Sequence, residues 1–181
     1  MLNKWDFSGV DQVCFSDQKQ ESYIKAAEFL GDTVEDWGGG TGWAKQYFRN
    51  YKNIDGSRSK YIDVHADLAE YTSDCDNILM RQVLETNHEW KQILENVKQS
   101  FRKRFCLVMI TPFSEETRVY ETEPVRLADG TTREGEFIDM ISFKKEDILS
   151  LFPAREYAVR EETIKTNQGY GEEWCLYVEK L

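Results

Sequence analysis

The sequence has little of what marks several large functional classes. Only two histidines, His65 and His88, and four cysteines occur in 181 residues. Cys14, Cys75, Cys106 and Cys175 stand apart, with no C-x-x-C pair and no histidine cluster, so neither a zinc site nor a disulfide framework is expected. No run of about 18 apolar residues is present, which leaves nothing to span a membrane. Met1 to Asp6 lack the basic-then-apolar order of a secretory signal, and a cytoplasmic location is expected. Cations are also scarce. Lysine and arginine number 23 against 33 acidic residues, a net charge of −10, which makes nucleic acid a disfavoured partner. The densest basic run, Arg102-Lys103-Arg104, reads as the end of a helix whose dipole it complements.

What is present is the balance of a globular chain: 40% hydrophobic and 31% charged residues. Its length suits one domain over 1–181. Residues 1–17 form an N-terminal cap segment with isolated aromatics. Tyr23, Ala26, Ala27 and Leu30 make one helical stripe, ended by Gly31. Thr33–Glu35 is a short strand. Trp43, Ala44, Tyr47 and Phe48 then group on a second helical face. Further strands are expected at Tyr51–Asp55, at 61–68 and around Ile78-Leu79-Met80. Trp90, Ile93, Leu94, Val97 and Phe101 mark the clearest helix, with Thr86 and Glu89 at capping-box spacing. The apolar run Phe105–Thr111, ended by Pro112, suits a strand buried on both faces, where Cys106 serves as a small hydrophobe.

Residues 113–141 are polar and read as an inserted hairpin or lid, turning at Asp129-Gly130. Ser142 can cap a helix running to Phe152. Two last strands, about 156–164 and 174–179, flank the turn signal Asn167-Gln168-Gly169. Strands alternating with helices predict an α/β fold. This is a Rossmann-like, mostly parallel sheet with helices on both faces and a C-terminal antiparallel hairpin. Ligands of such sheets bind at the carboxyl ends of the strands, near the switch in strand order. The loops after residues 35, 55, 67, 80 and 111 should therefore converge.

The first of those loops, Asp36-Trp37-Gly38-Gly39-Gly40-Thr41-Gly42, carries small residues where backbone must come close to a ligand. An acid precedes it, and Asp55 ends the next strand, where a carboxylate can grip a ribose. A dinucleotide loop needs a small residue where this chain has Trp43. This pattern resembles the class I S-adenosylmethionine-dependent methyltransferases, whose first motif is D/E-x-G-x-G-x-G. Asp36, Gly38, Gly40 and Gly42 fit every fixed position.

The resemblance implies that S-adenosylmethionine is the cofactor and S-adenosylhomocysteine the product. It implies a donor site from Asp36, Gly38, Gly39, Gly40, Thr41, Gly42, Asp55, Gly56, Asp67, Leu68, Met80 and Arg81. Leu84-Glu85 is similar to a Leu-Glu pair common in that family. The histidine that often follows it is here Thr86, so no base carries over, and candidates are His88, Glu85, Asp139 and His65. The connection 57–60 is too short for the usual helix. The stretch after strand four lacks the (D/N/S)-P-P-(Y/F) of DNA amino-methylating enzymes, and no acids cluster as a metal-dependent catechol-type site requires. The expected activity is methyl transfer to a small-molecule or glycan acceptor, whose pocket could draw on Trp5, Phe7, Phe113, Tyr120 and Phe137. The alternative is a non-catalytic binding or regulatory protein of the same fold. Oligomeric state leaves no signature in the sequence.

Overall fold

Thr33–Trp37 (β1), Asn50–Asp55 (β2), Val64–His65 (β3), Cys75–Arg81 (β4) and Phe101–Met109 (β5) run parallel to one another. The computed structural model describes residue 7 and residues 19–110, 113–126, 132–166 and 171–181. A separate antiparallel pair, Arg118–Arg126 (β6) and Thr132–Ser142 (β7), occupies the inserted region. Tyr157–Lys165 (β8) and Glu172–Lys180 (β9) form an antiparallel hairpin that joins the sheet beside β5. The sheet order is β3-β2-β1-β4-β5-β9-β8. Helices are Glu21–Leu30 (α1), Trp90–Ser100 (α2) and Lys145–Leu149 (α3). Strand order reverses between β1 and β4, so the loop after β1 opens at the switch point.

Alternation sorts the strand side chains onto two faces. Trp37, Ile54, Ile78, Met80, Phe105, Leu107, Leu176 and Val178 meet Ile93, Leu94 and Val97 of α2 and Ile148 of α3 in one core. Val34, Leu79, Cys106, Val108, Cys175 and Tyr177 meet Tyr23, Ala26 and Leu30 of α1 on the other. Each such fully buried aliphatic or aromatic side chain contributes about 1.5–3 kcal/mol. The sheet with helices on both faces is the expected architecture, and the final hairpin falls within two residues of its expected bounds at every end.

The stretch after the glycine loop is a short 3-10 helix, Trp43–Tyr47, and Trp43, Ala44, Tyr47 and Phe48 share one core as their spacing suggests. Several local readings are corrected. Arg102, Lys103 and Arg104 lie in β5, not in a helix. There Lys103 pairs with Asp76 at 2.7 Å and Arg104 with Glu179 at 3.0 Å. Phe101 opens that strand rather than closing α2. Thr86 and Glu89 form no capping box: the Thr86 hydroxyl bonds the Val83 carbonyl, and α2 begins without a side-chain cap. The third strand is only two residues long, and Ser142 ends β7 instead of capping α3. No described helix is long and apolar enough to cross a membrane. Trp5, Cys14, Thr111, Pro112 and the turns at Asp129-Gly130 and Asn167-Gln168-Gly169 lie outside the described residues.

Two glycines with the same backbone hand differ in surroundings. Gly31, at the end of α1, has φ +81 and nothing within 4 Å of where a Cβ would stand. Gly38 has φ +82, and a Cβ there would lie 2.3 Å from Val83 Cγ2. Gly31→Ala is expected to cost about 1 kcal/mol from the positive φ alone. Gly38→Ala should cost about 2–4 kcal/mol, because overpacking is added. Urea unfolding of the two variants checks this, and equal losses would contradict the packing argument.

Candidate active site

The side chains of Tyr51, Asn53 and Asp55 alternate along β2 onto the face that also carries Asp36 of β1. All of them point at the glycine loop. Asp55 Oδ2 accepts the Gly40 N–H at 2.7 Å, and its Oδ1 accepts the Ser57 N–H at 2.6 Å. Asn53 Nδ2 donates to the Gly40 and Tyr61 carbonyls, each at 3.0 Å. Tyr51 donates its hydroxyl to Asp36 Oδ2 at 2.6 Å. A Cβ on Gly39 would meet Asn53 Oδ1, Asp36 Oδ2 and the Tyr51 hydroxyl within 2.5–2.8 Å. The loop therefore lies flat on a polar row supplied by the next strand.

Gly38, Gly40 and Gly42 all have positive φ, which explains three of the motif's glycines through backbone hand. At Gly40 the missing Cβ faces the Phe7 ring at 3.4 Å, whereas at Gly38 it faces Val83 beyond β4. Phe7 is held there by its backbone N–H on the Arg58 carbonyl, 2.7 Å away. Thr41 and Gly56 are half-buried beside the loop.

Across the switch point, Arg81 ends β4 on the same face. Its Nε and Nη2 donate to Glu173 Oε1 of β9 at 3.0 and 2.5 Å, and its guanidinium lies over the Tyr23 ring at 5.0 Å. Met80 is fully buried in the opposite core, so what it offers at the sheet edge is backbone. Gln82, the next residue, holds φ +58, an uncommon conformation for a non-glycine and one that clusters at functional sites. Asp67 follows β3, half-buried, and accepts the Ala69 N–H at 3.1 Å; Leu68 is buried in the core.

Glu85 sits in a 3-10 turn, Leu84–Thr86, after β4. Its Oε1 accepts the Ile110 N–H at the end of β5, 2.8 Å away. His88 Nε2 and Asp139 Oδ2 of β7 are 2.9 Å apart, and Asp139 Oδ1 accepts the Thr122 hydroxyl of β6 at 2.8 Å. His65 is exposed on β3, away from the other base candidates. Phe113 packs edge-on against Trp174 at 4.9 Å, whereas Tyr120 and Phe137 stay exposed on the hairpin. Asp36 and Asp55 lie against the glycine loop, where the sequence places them; Tyr51, Asn53, Tyr23 and Glu173, which the sequence does not single out for the site, join them. The signal for Tyr51 and Asn53 was the polar alternation 51, 53, 55 in a strand; Tyr23 and Glu173 carried none. Among the described residues no group of histidines, cysteines and acids could hold a metal ion.

No family model matches the chain, and neither does any curated protein. Solved structures do. A 1,6-didemethyltoxoflavin-N1-methyltransferase from Burkholderia thailandensis, with S-adenosylhomocysteine bound, superposes with a TM-score of 0.64 at 14% identity, over 90% of this chain and 79% of its own. Magnesium protoporphyrin IX methyltransferase from Synechocystis, with the methyl donor bound, gives 0.58 at 12%, over 94% and 88%. An amino pentose methyltransferase from Micromonospora echinaspora gives 0.55 at 11%, over 90% and 92%. The chain thus has the Rossmann-like fold of class I S-adenosylmethionine-dependent methyltransferases.

Burial sets the protonation of the two deepest acids. Asp36 is pushed up to about 7 by burial and by the Asp55 charge, against the Tyr51 hydrogen bond and the Arg81 charge. Glu85 rises to about 7 by burial, opposed by the Ile110 amide, its own amide and Arg81. Folded values above the ordinary one mean that the folded chain holds more protons than the unfolded chain between about pH 4 and 7. The stability linked to both acids is full below that window and is lost as pH rises through about 7. Lowering pH from 8 to 5.5 should raise unfolding free energy by about 4 kcal/mol, about 2 from each acid. Glu35 and Glu161, both lowered by cationic partners, oppose this only in more acidic solution. Urea titrations across that range read it, and a monotonic fall in stability would contradict it.

Proposed function

We propose that this chain is an S-adenosylmethionine-dependent methyltransferase acting on a small-molecule acceptor. The observation that carries the reading is the positive-φ glycine loop seated on Asp36 and Asp55 at the switch point. Two further features fit such a ligand. Asn53 Oδ1 and Ser57 Oγ, on either side of Asp55 in sequence, are buried without a hydrogen-bond partner, and such atoms call for a donor. Asp55 uses one lone pair of each oxygen on the protein backbone, which leaves acceptor capacity for ribose hydroxyls.

In this reading Gly38 to Gly42 and Asp36 hold the amino-acid end of the donor, Asp55 with Gly56 its ribose, and Asp67 with Leu68 its adenine. Backbone at Met80 and Arg81 lines the far side. When bound, the donor supplies an activated methyl group on a sulfonium. The protein's part is to hold the partners aligned and exclude water. Solved proteins of this fold are named for 1,6-didemethyltoxoflavin, magnesium protoporphyrin IX and an amino pentose, which favours a small molecule over a polymer. A non-catalytic donor-binding role is the alternative; donor binding without turnover across acceptor classes would favour it.

Calorimetry is expected to show S-adenosylhomocysteine bound and NAD bound far more weakly. A folded protein that binds neither would overturn the reading. Asp55→Ala should weaken the donor by about 1–3 kcal/mol, because it removes both the ribose acceptor and the pin on Gly40. Unchanged affinity would show that the β2 acid does not touch the ligand.

A further inference from the structure

We propose that the acceptor is an amine, bound where the inserted hairpin crosses the 84–88 turn, and that Glu85 takes the hydrogen bond and the proton of its nitrogen. The proposal rests on the methyltransferase reading above and adds the class of acceptor to it.

Glu85 is 1% exposed, yet its Oε2 has no hydrogen-bond partner among the described residues. A buried carboxylate oxygen without a donor is costly and rare in folded proteins, so it needs an explanation. Arg81, the cation that faces Glu85 from β4, is gripped through two nitrogens by Glu173 from β9. Glu85 is also fixed in place, because its other oxygen holds the Ile110 amide. A rigid, buried acid with one oxygen lacking a donor among the described residues is suited to a ligand N–H.

The element lying over that turn has matching chemistry. Its described residues, 113–126 and 132–141, contain seven acidic residues and three arginines. Tyr120 and Phe137 project from the hairpin, 43% and 64% exposed. Carboxylates interleaved with aromatic rings recognise a cation attached to an apolar body. Three observations tie this hairpin to Glu85. Strand β7 packs on the 84–86 turn. Tyr120 of β6 lies within electrostatic reach of Glu85. His88 and Asp139 join turn to hairpin at 2.9 Å, with Thr122 closing the chain. In this arrangement the His88–Asp139 pair is the strap that holds the hairpin over Glu85.

An amine arrives at neutral pH as an ammonium, whose nitrogen has no lone pair to offer. One N–H bond breaks, its electron pair stays on nitrogen, and the proton passes to Glu85 Oε2. The neutral amine then has the lone pair a methyl donor requires, and Glu85 later releases the proton to water. The charged or titratable groups facing Glu85 are Arg81, Glu173 and Tyr120, and Arg81 lets it return to the carboxylate form.

The test compares benzylamine, benzyl alcohol and phenylacetate, one ring carrying three head groups, by calorimetry on the full chain with and without S-adenosylhomocysteine. Benzylamine is expected to bind at least tenfold tighter than the alcohol, with phenylacetate weakest. The carbon-13 carboxyl resonance of Glu85 should move when the amine is added. Glu85→Gln should reduce the amine preference to below threefold while S-adenosylhomocysteine affinity stays within twofold. Equal binding of amine and alcohol to the unaltered protein overturns the proposal, as does a Glu85→Gln variant that keeps the full preference. The first comparison needs no variant, so a misfolded one leaves it decisive. An amine preference without S-adenosylhomocysteine binding defeats the donor reading alone. S-adenosylhomocysteine binding without an amine preference defeats this proposal alone.

Discussion

The seating of the glycine loop on β2 is the constraint from which the rest of the site follows. Backbone can lie this flat only if no Cβ intervenes and if the polar groups it covers are answered. Gly39 meets the first condition, and Asp55, Tyr51 and the Asn53 amide nitrogen meet most of the second, with Asn53 Oδ1 the exception. The cost falls on Asp36, which is buried beneath the loop and drawn toward protonation. A fold free to optimise stability alone would place an apolar residue there. Retaining an acid at that depth is the kind of local conflict that marks a functional position.

The same row shows why part of the site was legible in sequence and part was not. Glycine spacing followed by an acid is local, so Asp36 and Asp55 could be read directly. Tyr51 and Asn53 act through the same alternation, but polar residues in a strand usually signify a solvated face. Only the crossing loop turns that face inward. Glu173 gives no signal, because its partner Arg81 is 92 residues away. The strand order and terminal hairpin were legible because apolar runs and turn residues are short-range features.

Helix lengths and ends are less legible, for another cause. Trp43, Ala44, Tyr47 and Phe48 have helical spacing, yet spacing does not count turns. With Gly42 in the left-handed region at φ +79 and β2 starting at Asn50, only a short 3-10 helix fits. Arg102 to Arg104 look like a helix end because Val97 and Phe101 continue the stripe of α2. Pairing of Cys75 with Phe101 overrides this, and the basic residues become partners for Asp74, Asp76 and Glu179 across the strands. Tertiary pairing wins over local periodicity where a helix passes directly into a strand.

Charge at the carboxyl edge of the sheet ties the two halves of the site together. Asp36, Asp55, Glu85 and Glu173 gather there around Arg81, which faces both Asp36 and Glu85. Arg81 is saturated by Glu173, so its charge lowers both acids only in part, and each remains near neutrality in its own protonation. A site with that surplus of carboxylates is best stabilised by cationic ligands on both sides of β4. The donor's sulfonium and ammonium would supply one cation, beside Asp36. An ammonium acceptor would supply the other, beside Glu85. Arg81 acts on both acids, lowering each against the burial that raises it. On the methyltransferase reading, the surplus of buried acid, costly in itself, would draw two cationic ligands to one edge of the sheet.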